Sequence, residues 1–511
     1  MATSSSKSAV HYKSPWRCLC LSLLKSRNRY RARVKREQAT VRKLQQQMND
    51  LQREASRRAA PRRQPQPSST EQKLPQPQWP NLPGHQFSAE MISLCCQLSL
   101  LTGFRAVPKV LRCIFDALNI PLRVPKRDVI RKWNCRNGVA ILGQAPAAED
   151  QVWMIDHSVQ LGKKFVLVVL GITASKVPVG RALRREDMTP LAVLPTTSRS
   201  KEEVGRQLTE LAKQIGTPLA VLSDGACELH QGAQQLKELG FTGIHLSDIK
   251  HKVANLLKKK LGGDERFKAY LMQLGKTTPL LQQTELEHLL PPRKKEKCRF
   301  MSLDRLIDWA TMAEQQLAIA AGTNTPQAER LLEKLGWLKE FEADLRAWRE
   351  CRRLIGVVLK YANEQGVFAG ATEALRHQLA QCPTQSELSR FLVDEMLTCY
   401  QSNEDQLSAL PQADIRLPCS TEVLESAFGA FKAIQRHHGQ GTFTSLLACL
   451  PTLFDCCDPK KIRERFSRVT NCGLQQWLKA SGLTNSTQSR RTEAFRQVRN
   501  NASKVTAISA A

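Results

Sequence analysis

Three carboxylates stand at positions from which they could converge on metal ions. Asp156 ends a predicted strand, Asp224 ends a second one, and Glu425 lies near the start of a predicted helix. Mg²⁺ prefers carboxylate oxygens, and two such ions about 3.5–4 Å apart can hold the attacking and leaving oxygens of a phosphodiester. The set therefore predicts metal-dependent phosphodiester chemistry, although a single aspartate after a strand is often only a turn residue.

The two aspartates lie on strands of a predicted mixed α/β sheet. Apolar runs predict five strands, at 152–155, 165–172, 176–183, 219–222 and 243–246. The third is edge-like because it contains Pro178 and Gly180, and helices are predicted before and after the fourth. This order indicates an antiparallel trio extended by parallel crossovers. Ligand sites commonly lie at the carboxyl ends of parallel strands, where both aspartates are placed.

A long helical block separates this sheet from Glu425. From about 262 to 415 the periodicity is helical, most clearly from Gln327 to Glu364, and the loop from Pro291 to Arg299 is strongly basic. A further helix begins after Pro418 and runs to about Arg436. We therefore predict an all-helical insertion within the mixed domain, with Glu425 on the helix that follows it.

The sequence around the three carboxylates resembles that of the DDE transposases. The matching segments are Ile155-Asp156-His157, Leu222-Ser223-Asp224-Gly225, and Ser420 to Ser426 followed by Phe428, Gly429 and Lys432. These enzymes have a ribonuclease H-like core, and many come from bacterial insertion sequences. The resemblance covers about 151–436 and implies that Asp156, Asp224 and Glu425 are the catalytic, metal-binding triad. The gaps between them are 68 residues (224 − 156) and 201 residues (425 − 224). The second gap is too long for the minimal core and resembles that of the branch with a helical insertion before the final glutamate.

The resemblance implies a two-step reaction on DNA. Two Mg²⁺ ions, for which Mn²⁺ is expected to substitute, would activate water at the element end and then the freed 3′-hydroxyl against target DNA. Two element ends require two active sites, so a homo-oligomer is expected. The alternatives are a non-catalytic DNA-binding protein derived from a transposase and a metal-dependent nuclease that cuts without joining.

Further residues near the triad are candidates for auxiliary roles. Asp248 and His251 are similar to a motif of several insertion-bearing transposase families, but Asp248 is equally well placed to cap a helix. Lys432, on the same helix face as Glu425, resembles a basic residue that grips donor DNA phosphate. Glu422 is the rival for the third carboxylate, although an acid in a first helical turn is expected from the helix dipole alone.

Residues 86–140 are predicted to form a helix-turn-helix-like DNA-binding unit. Two apolar helical faces are separated by Gly103, and a third helix carries Val129 and Trp133 inward. Its basic residues are expected to face outward and to contact DNA: Lys126, Arg127, Arg131, Lys132 and Arg136. A generic helical bundle with a basic surface is the alternative.

The charge of the chain favours a polyanionic partner. Its 511 residues include 76 lysines and arginines against 47 acids, a net charge of +29 that points to nucleic acid. No apolar run approaches the roughly 20 residues that span a bilayer, and no cleavable signal is evident. We expect a cytoplasmic protein, nucleoid-associated if bacterial, without a membrane partner.

Together these patterns predict a multidomain α/β protein. A heptad pattern between about 30 and 58, from Val34 to Ala55, predicts either a short coiled coil or a single basic helix. The predicted divisions are a basic N-terminal region (1–58), a Pro/Gln-rich linker (59–85), the helix-turn-helix-like unit (86–140), the first part of a ribonuclease H-like core (151–261), the helical insertion (262–417), the helix that completes the core (418–440) and a basic helical C-terminal region (441–511).

Overall fold

The computed structural model describes most of the chain from residue 79 onward. The described residues are 79–147, 150–161, 164–241, 243–292, 303–410, 415–437, 444–455, 457–484 and 494–497. Several predictions concern residues outside this part: the heptad region within 1–58, positions 59–78 of the linker, the basic loop from 293 onward, and residues 485–493 and 498–511 of the C-terminal region. These stay predictions.

The strands form a five-stranded mixed sheet. They are β1 (Gln151–Leu161), β2 (Lys164–Thr173), β3 (Thr189–Thr196), β4 (Ala220–Ser223) and β5 (Ile244–Ser247). The order is β3-β2-β1-β4-β5; β2 is antiparallel to β1 and β3, whereas β4 is parallel to β1 and β5. The antiparallel trio extended by parallel strands, predicted from the sequence, is therefore confirmed.

The predicted position of the third strand, 176–183, is wrong. Those residues are loop, between 3₁₀ turns at Ala174–Lys176 and Arg185–Asp187, and the strand lies further on, at β3. Pro190 and Pro195 interrupt the apolar pattern of β3, so its sequence does not indicate a strand. A strand can carry them here because β3 is at the edge of the sheet.

Helices make up most of the rest of the described chain. In chain order they are α1 (Ala89–Thr102), α2 (Val107–Ala117), α3 (Arg127–Leu142), α4 (Lys201–Ile215), α5 (Cys227–Gln234), α6 (Ile249–Gly263), α7 (Glu265–Leu281), α8 (Leu303–Ala321), α9 (Pro326–Leu335), α10 (Glu342–Gln365), α11 (Ala371–Ala380), α12 (Glu387–Gln406), α13 (Glu422–Arg436), α14 (Pro459–Arg468) and α15 (Asn471–Ala480). The chain thus has a mixed α/β fold, as the sequence predicts.

Both faces of the sheet are covered. On one face α4 and α5 pack over Trp153 and Ile155, and Ser200 caps the start of α4 by accepting a hydrogen bond from the Glu203 amide. The other face, which includes Met154 and Leu222, joins a larger core that extends into the remaining helices. Burial on both faces explains why β1, β2 and β4 read as continuous apolar runs.

The helices from α6 to α12 form the block predicted between the sheet and Glu425. Among the described residues from 262 to 410 the regular elements are helical. The Tyr270 ring packs against Trp337, Phe341 and Trp348, with ring centroids 5.0–5.8 Å away. The block also covers edge strand β5, because the Asn403 side chain on α12 hydrogen-bonds both the carbonyl (2.8 Å) and the amide (3.0 Å) of Ser247.

Helices α1 to α3 share a core with segments from the far end of the chain. Helix α3 packs against the 3₁₀ segment Thr444–Leu453, α14 and α15, and α14 also packs against α1. At Gly138 the approach is so close that an added Cβ would lie 1.9 Å from the Ala448 carbonyl oxygen. Trp133 is buried as predicted, whereas Ile130 rather than Val129 is its fully buried neighbour.

In the described part of the chain, no single helix has both the length and the apolar character required to cross a membrane. Helices α1 and α2 meet those criteria only when they are taken together across a 120° bend.

Candidate active site

Parallel pairing of β1 and β4 brings two of the predicted carboxylates together. Ile155 is the register partner of Ser223, so Asp156 and Asp224 are the next residues along two adjacent strands that run in the same direction. Neighbouring strands are about 4.8 Å apart. The two carboxylates therefore lie side by side where the parallel pairing of β1 and β4 ends. The prediction that Asp156 ends its strand is wrong, because β1 continues to Leu161 through its pairing with β2, with a register shift after Asp156.

The surroundings of Asp156 disfavour its negative charge. Burial, followed by the Asp224 carboxylate, raises the pKa of Asp156 to about 7. Glu425 contributes in the same direction, whereas His251 opposes it. Asp156 thus lies in a local excess of negative charge that a cation would relieve.

Asp224 is held by the turn that follows β4. Its Oδ1 accepts a hydrogen bond from the Ala226 amide at 2.9 Å, and Gly225 between them has a positive φ of 79°. Glycine adopts that conformation without steric cost. Asp224 can therefore be both a turn residue and a site residue, because the turn fixes its carboxylate at the end of β4.

Glu425 enters the site from the first turns of α13. Its Oε2 accepts a hydrogen bond from the Lys250 Nζ at 2.7 Å, and its Oε1 lies 3.6 Å from the His251 Nε2. His251 also interacts electrostatically with Asp224 and Asp156. His251 is thus in direct contact with Glu425 and lies within electrostatic range of both aspartates.

Asp248 joins the start of α13 to the start of α6. Fully buried, it accepts hydrogen bonds from the backbone amides of Lys250 (2.7 Å), His251 (3.3 Å) and Thr421 (3.0 Å), and from the Thr421 hydroxyl. The His251 Nδ1 lies 3.1 Å from its Oδ2. Asp248 is therefore both the cap of α6 and the residue that positions His251 and α13. A role as a helix cap is thus compatible with an auxiliary role in the site.

These contacts also determine the charges of Asp248 and His251. Burial acts to raise the pKa of Asp248, but the hydrogen bonds from His251 and Thr421 outweigh it and hold that pKa below its usual value. The hydrogen bond to Asp248 raises the pKa of His251 to about 9, against the effect of burial. His251 is accordingly a cation at neutral pH.

Glu422, the rival for the third carboxylate, is held by Lys250 and Asn363. Its Oε1 is 3.2 Å from the Lys250 Nζ, and its Oε2 accepts a 2.6 Å hydrogen bond from the Asn363 amide. Half of its side chain is exposed, and neither aspartate nor His251 contacts it. The geometry favours Glu425 over Glu422 as the partner of Asp156 and Asp224.

Two features of the site are not predicted from the sequence. The first is Lys250, the closest partner of Glu425. Its position between Asp248 and His251 could have indicated that it lies in the site. A hydrogen-bonded chain also runs beneath Asp224: the Ser223 hydroxyl lies 3.0 Å from the His245 Nε2, and the His245 Nδ1 lies 2.9 Å from the His230 Nδ1. These histidines come from separate elements, so no local spacing reveals their contact.

The predicted DNA-binding residues are not equally accessible. Lys126, Arg127 and Lys132 on or beside α3 are exposed, as is Lys432 on α13. Arg131 is half-buried and lies 3.5 Å from the Ser445 hydroxyl.

The outward orientation predicted for Arg136 is wrong. Its side chain is buried and donates hydrogen bonds to the carbonyls of Phe466 and Val469, with the guanidinium 4.1 Å from the centroid of the Phe466 ring. Helical periodicity places Arg136 on the polar face of α3, but α14 and its C-terminal turn cover that position. Arg136 therefore stabilises the packing of these helices and is not available to DNA phosphate.

The residues present suit a hard divalent cation. Asp156, Asp224 and Glu425 offer only oxygen ligands, and the first two lie side by side with the pKa of Asp156 raised. In the described part of the chain, however, no group of three or more Asp, Glu, His or Cys side chains already has the spacing of a metal site. Glu425 is instead engaged by Lys250 and His251.

Comparisons with known proteins identify no family for this chain. No family model matches it, and no curated protein matches its sequence. Among solved structures it is similar to the Drosophila P element transposase strand transfer complex, with a TM-score of 0.34 and 11% sequence identity over 74% of this chain and 94% of that chain. A TM-score this low gives no basis for assigning a function.

Proposed function

We propose that this chain is a DNA transposase of the DDE type, which cuts DNA at element ends and joins those ends to target DNA. The observation that carries the proposal is the side-by-side position of Asp156 and Asp224 on the adjacent parallel strands β1 and β4. Glu425 contacts His251, which interacts electrostatically with both aspartates. Support also comes from the strand order and from the helical block before α13, which agree with the interrupted ribonuclease H-like core that the sequence motifs imply.

Each residue of the site has a separate task in this proposal. Asp156, Asp224 and Glu425 would hold two Mg²⁺ ions, which when bound neutralise charge on the phosphodiester and activate the attacking oxygen. Asp248 fixes His251 and the first turn of α13. That contact positions Glu425, because the residue lies within the turn that Asp248 holds.

The exposed cations would hold the DNA through its phosphates. Lys126, Arg127 and Lys132 would contact one stretch of duplex through the helix-turn-helix-like unit, and Lys432 would contact the donor strand beside Glu425. Binding of this kind weakens steeply with salt because counterions are released. Since two ends must be joined together, the active form is proposed to be a homo-oligomer.

The test is a strand-transfer assay with the full-length protein. The protein is incubated with DNA carrying the inverted repeats that flank its coding sequence, a target plasmid, and Mg²⁺ or Mn²⁺. We expect metal-dependent joined products that disappear in Asp224→Asn and in Glu425→Gln. Glu333→Gln is the matched control, since it removes an exposed carboxylate on α9 and should leave the yield unchanged.

Other outcomes would replace the proposal with one of its alternatives. Metal-dependent cutting without joining, lost in the same two variants, would indicate a nuclease. DNA binding with neither reaction would indicate a non-catalytic DNA-binding protein on the same fold.

A further inference from the structure

Lys250 is the closest partner of the third proposed metal ligand. Its ammonium lies 2.7 Å from one Glu425 oxygen, while the His251 Nε2 lies 3.6 Å from the other. The Lys250 side chain is only 20% exposed, so this contact is shielded from water more than an ordinary surface ion pair. Both oxygens that Glu425 would offer to a metal are therefore already occupied by cationic side chains.

Lys250 also has a second carboxylate within reach. Glu422 lies one helical turn before Glu425 on α13, and its Oε1 is 3.2 Å from the same ammonium. The Asn363 amide holds the other Glu422 oxygen at 2.6 Å and so fixes this carboxylate in place. Lys250 can consequently release Glu425 and keep a charge partner without leaving the site.

We infer that Lys250 holds one oxygen of Glu425 while no metal is bound and passes from Glu425 to Glu422 when a metal ion binds. The inference rests on the proposed function, because it assumes that Asp156, Asp224 and Glu425 are metal ligands. Lys250 thereby sets the metal concentration at which the site assembles. Glu422 is assigned the role of receiving Lys250 and is not itself a metal ligand.

Lys252 provides a matched control on the same helix. It lies beside the turn at Gly225, where a Cβ added to the glycine would be 3.7 Å from the Lys252 Cε. In the described part of the chain no ion pair joins it to a carboxylate. Replacing Lys252 removes the same charge on the same helix without breaking an ion pair to Glu425, so it measures the general effect of positive charge on metal affinity.

The experiment measures binding of Mn²⁺ alone to the metal-free full-length protein by isothermal titration calorimetry. We expect Lys250→Met to bind Mn²⁺ about tenfold more tightly than wild type, the effect of removing one close charge. Lys252→Met should stay within about twofold of wild type, because in the described part of the chain Lys252 forms no ion pair with a proposed metal ligand. Glu422→Gln should bind more weakly, since Lys250 then lacks its second partner, and Lys250→Met/Glu422→Gln should match Lys250→Met.

Thermal unfolding separates this role from a merely structural one. Without metal, Lys250→Met should unfold at a lower temperature than wild type, because Glu422 and Glu425 lose their counter-charge. With saturating Mn²⁺ the deficit should vanish, whereas a structural ion pair would leave it in place. If Lys250→Met does not fold, Lys250→Gln serves in both measurements.

The results that would overturn the inference are separate from those that would overturn the proposed function. If Lys250→Met binds Mn²⁺ no more tightly than wild type while Asp224→Asn abolishes binding, the metal site stands and the role of Lys250 is rejected. If Asp224→Asn binds Mn²⁺ as wild type does, the proposed metal site is rejected, and the inference with it.

Discussion

At Asp248, one buried carboxylate accepts hydrogen bonds from the first turns of two helices that are far apart in the chain. The donors on α6 are the amides of Lys250 and His251, and the donors at the start of α13 are the amide and hydroxyl of Thr421. A buried group with this many partners leaves several unpaired donors behind when it is removed. Its contribution to stability should therefore exceed that of an ordinary helix cap.

We predict that Asp248→Ala lowers the free energy of unfolding by about 3 kcal/mol, measured by urea denaturation without metal. Asp264→Ala is the control: Asp264 caps α7 through the Phe267 amide but is only half-buried, so the expected loss is about 1 kcal/mol. Equal losses in the two variants would mean that Asp248 is no more than a helix cap.

The contact between His230 and His245 predicts that the protein loses stability in acid. Burial, followed by the charges of His230 and Lys252, lowers the pKa of His245 from 6.5 to about 4. A depressed pKa in the folded state contributes stability that is present above pH 6.5 and is lost as the pH falls towards 4.

We therefore predict that the free energy of unfolding falls more steeply in wild type than in His245→Gln between pH 6.5 and pH 4. The difference should be on the order of 1 kcal/mol, since the ring is partly exposed. Urea denaturation at a series of pH values measures it, and a difference that does not vary with pH would contradict the assignment.

Sequence motifs predict the acidic residues of the site better than its basic ones. Asp156 and Asp224 each follow an apolar run, and the parallel pairing of β1 with β4 places them on adjacent strands. Lys250 and His245 reach their partners through tertiary packing, which leaves no pattern in the local sequence. Arg136 is the reverse case, because its position on the polar face of a helix suggests exposure while residues more than 300 positions away bury it.

At the scale of elements, the contact between α3 and the segment Thr444–Leu453 depends on a glycine. A Cβ at Gly138 would meet the Ala448 carbonyl oxygen at 1.9 Å, which a backbone atom can avoid only if the whole segment moves. Gly143, at the end of the same helix, has no atom nearer than 3.7 Å to such a Cβ and has an ordinary φ of −75°.

We predict that Gly138→Ala lowers the free energy of unfolding by about 2–3 kcal/mol through steric displacement of the segment. Gly143→Ala should change it by less than about 0.5 kcal/mol, since it adds a methyl group without a clash. Thermal unfolding of the two variants makes the comparison. A stable Gly138→Ala protein would show that α3 and the segment are not in close contact.

The sequence predicts elements well where one helix or strand buries its own apolar pattern. Strands β2, β4 and β5 and helix α13 lie close to their predicted positions, because continuous apolar runs and helical periodicity identify them directly. Strand β1 begins as predicted but continues past Asp156 to Leu161. Strand β3 is missed because its place at the sheet edge tolerates two prolines that the search treats as breaks. Whether a strand lies at an edge is a property of the sheet and not of the strand's own residues.

At the scale of the whole molecule, the first helices and the last ones depend on each other. Helices α1 to α3 bury residues such as Ile92 and Ile130 in the same core as Leu447 and Phe466. Residues 86–140, for which the sequence predicts a DNA-binding unit, are therefore packed against the C-terminal segments. Their fold should not be independent of those segments.

We predict that a chain ending at residue 443 unfolds at a markedly lower temperature than the full-length protein and binds DNA weakly. It lacks Thr444–Leu453, α14 and α15, which cover α3. A chain ending at Thr484 retains all three and should unfold close to the full-length protein. Circular dichroism melts of both chains test this, and equal melting temperatures would show that 86–140 folds by itself.

The placement of Glu425 beyond the helical block has a consequence for the cell that makes the protein. Because translation supplies the N-terminal part first, β1 to β5 can pair once Ser247 has left the ribosome, while Thr421 and Glu425 follow only after the block. Nascent chains, and products of premature stop codons within the block, carry both aspartates without the glutamate. Under the proposed function, only chains that have been translated beyond Glu425 can cut DNA.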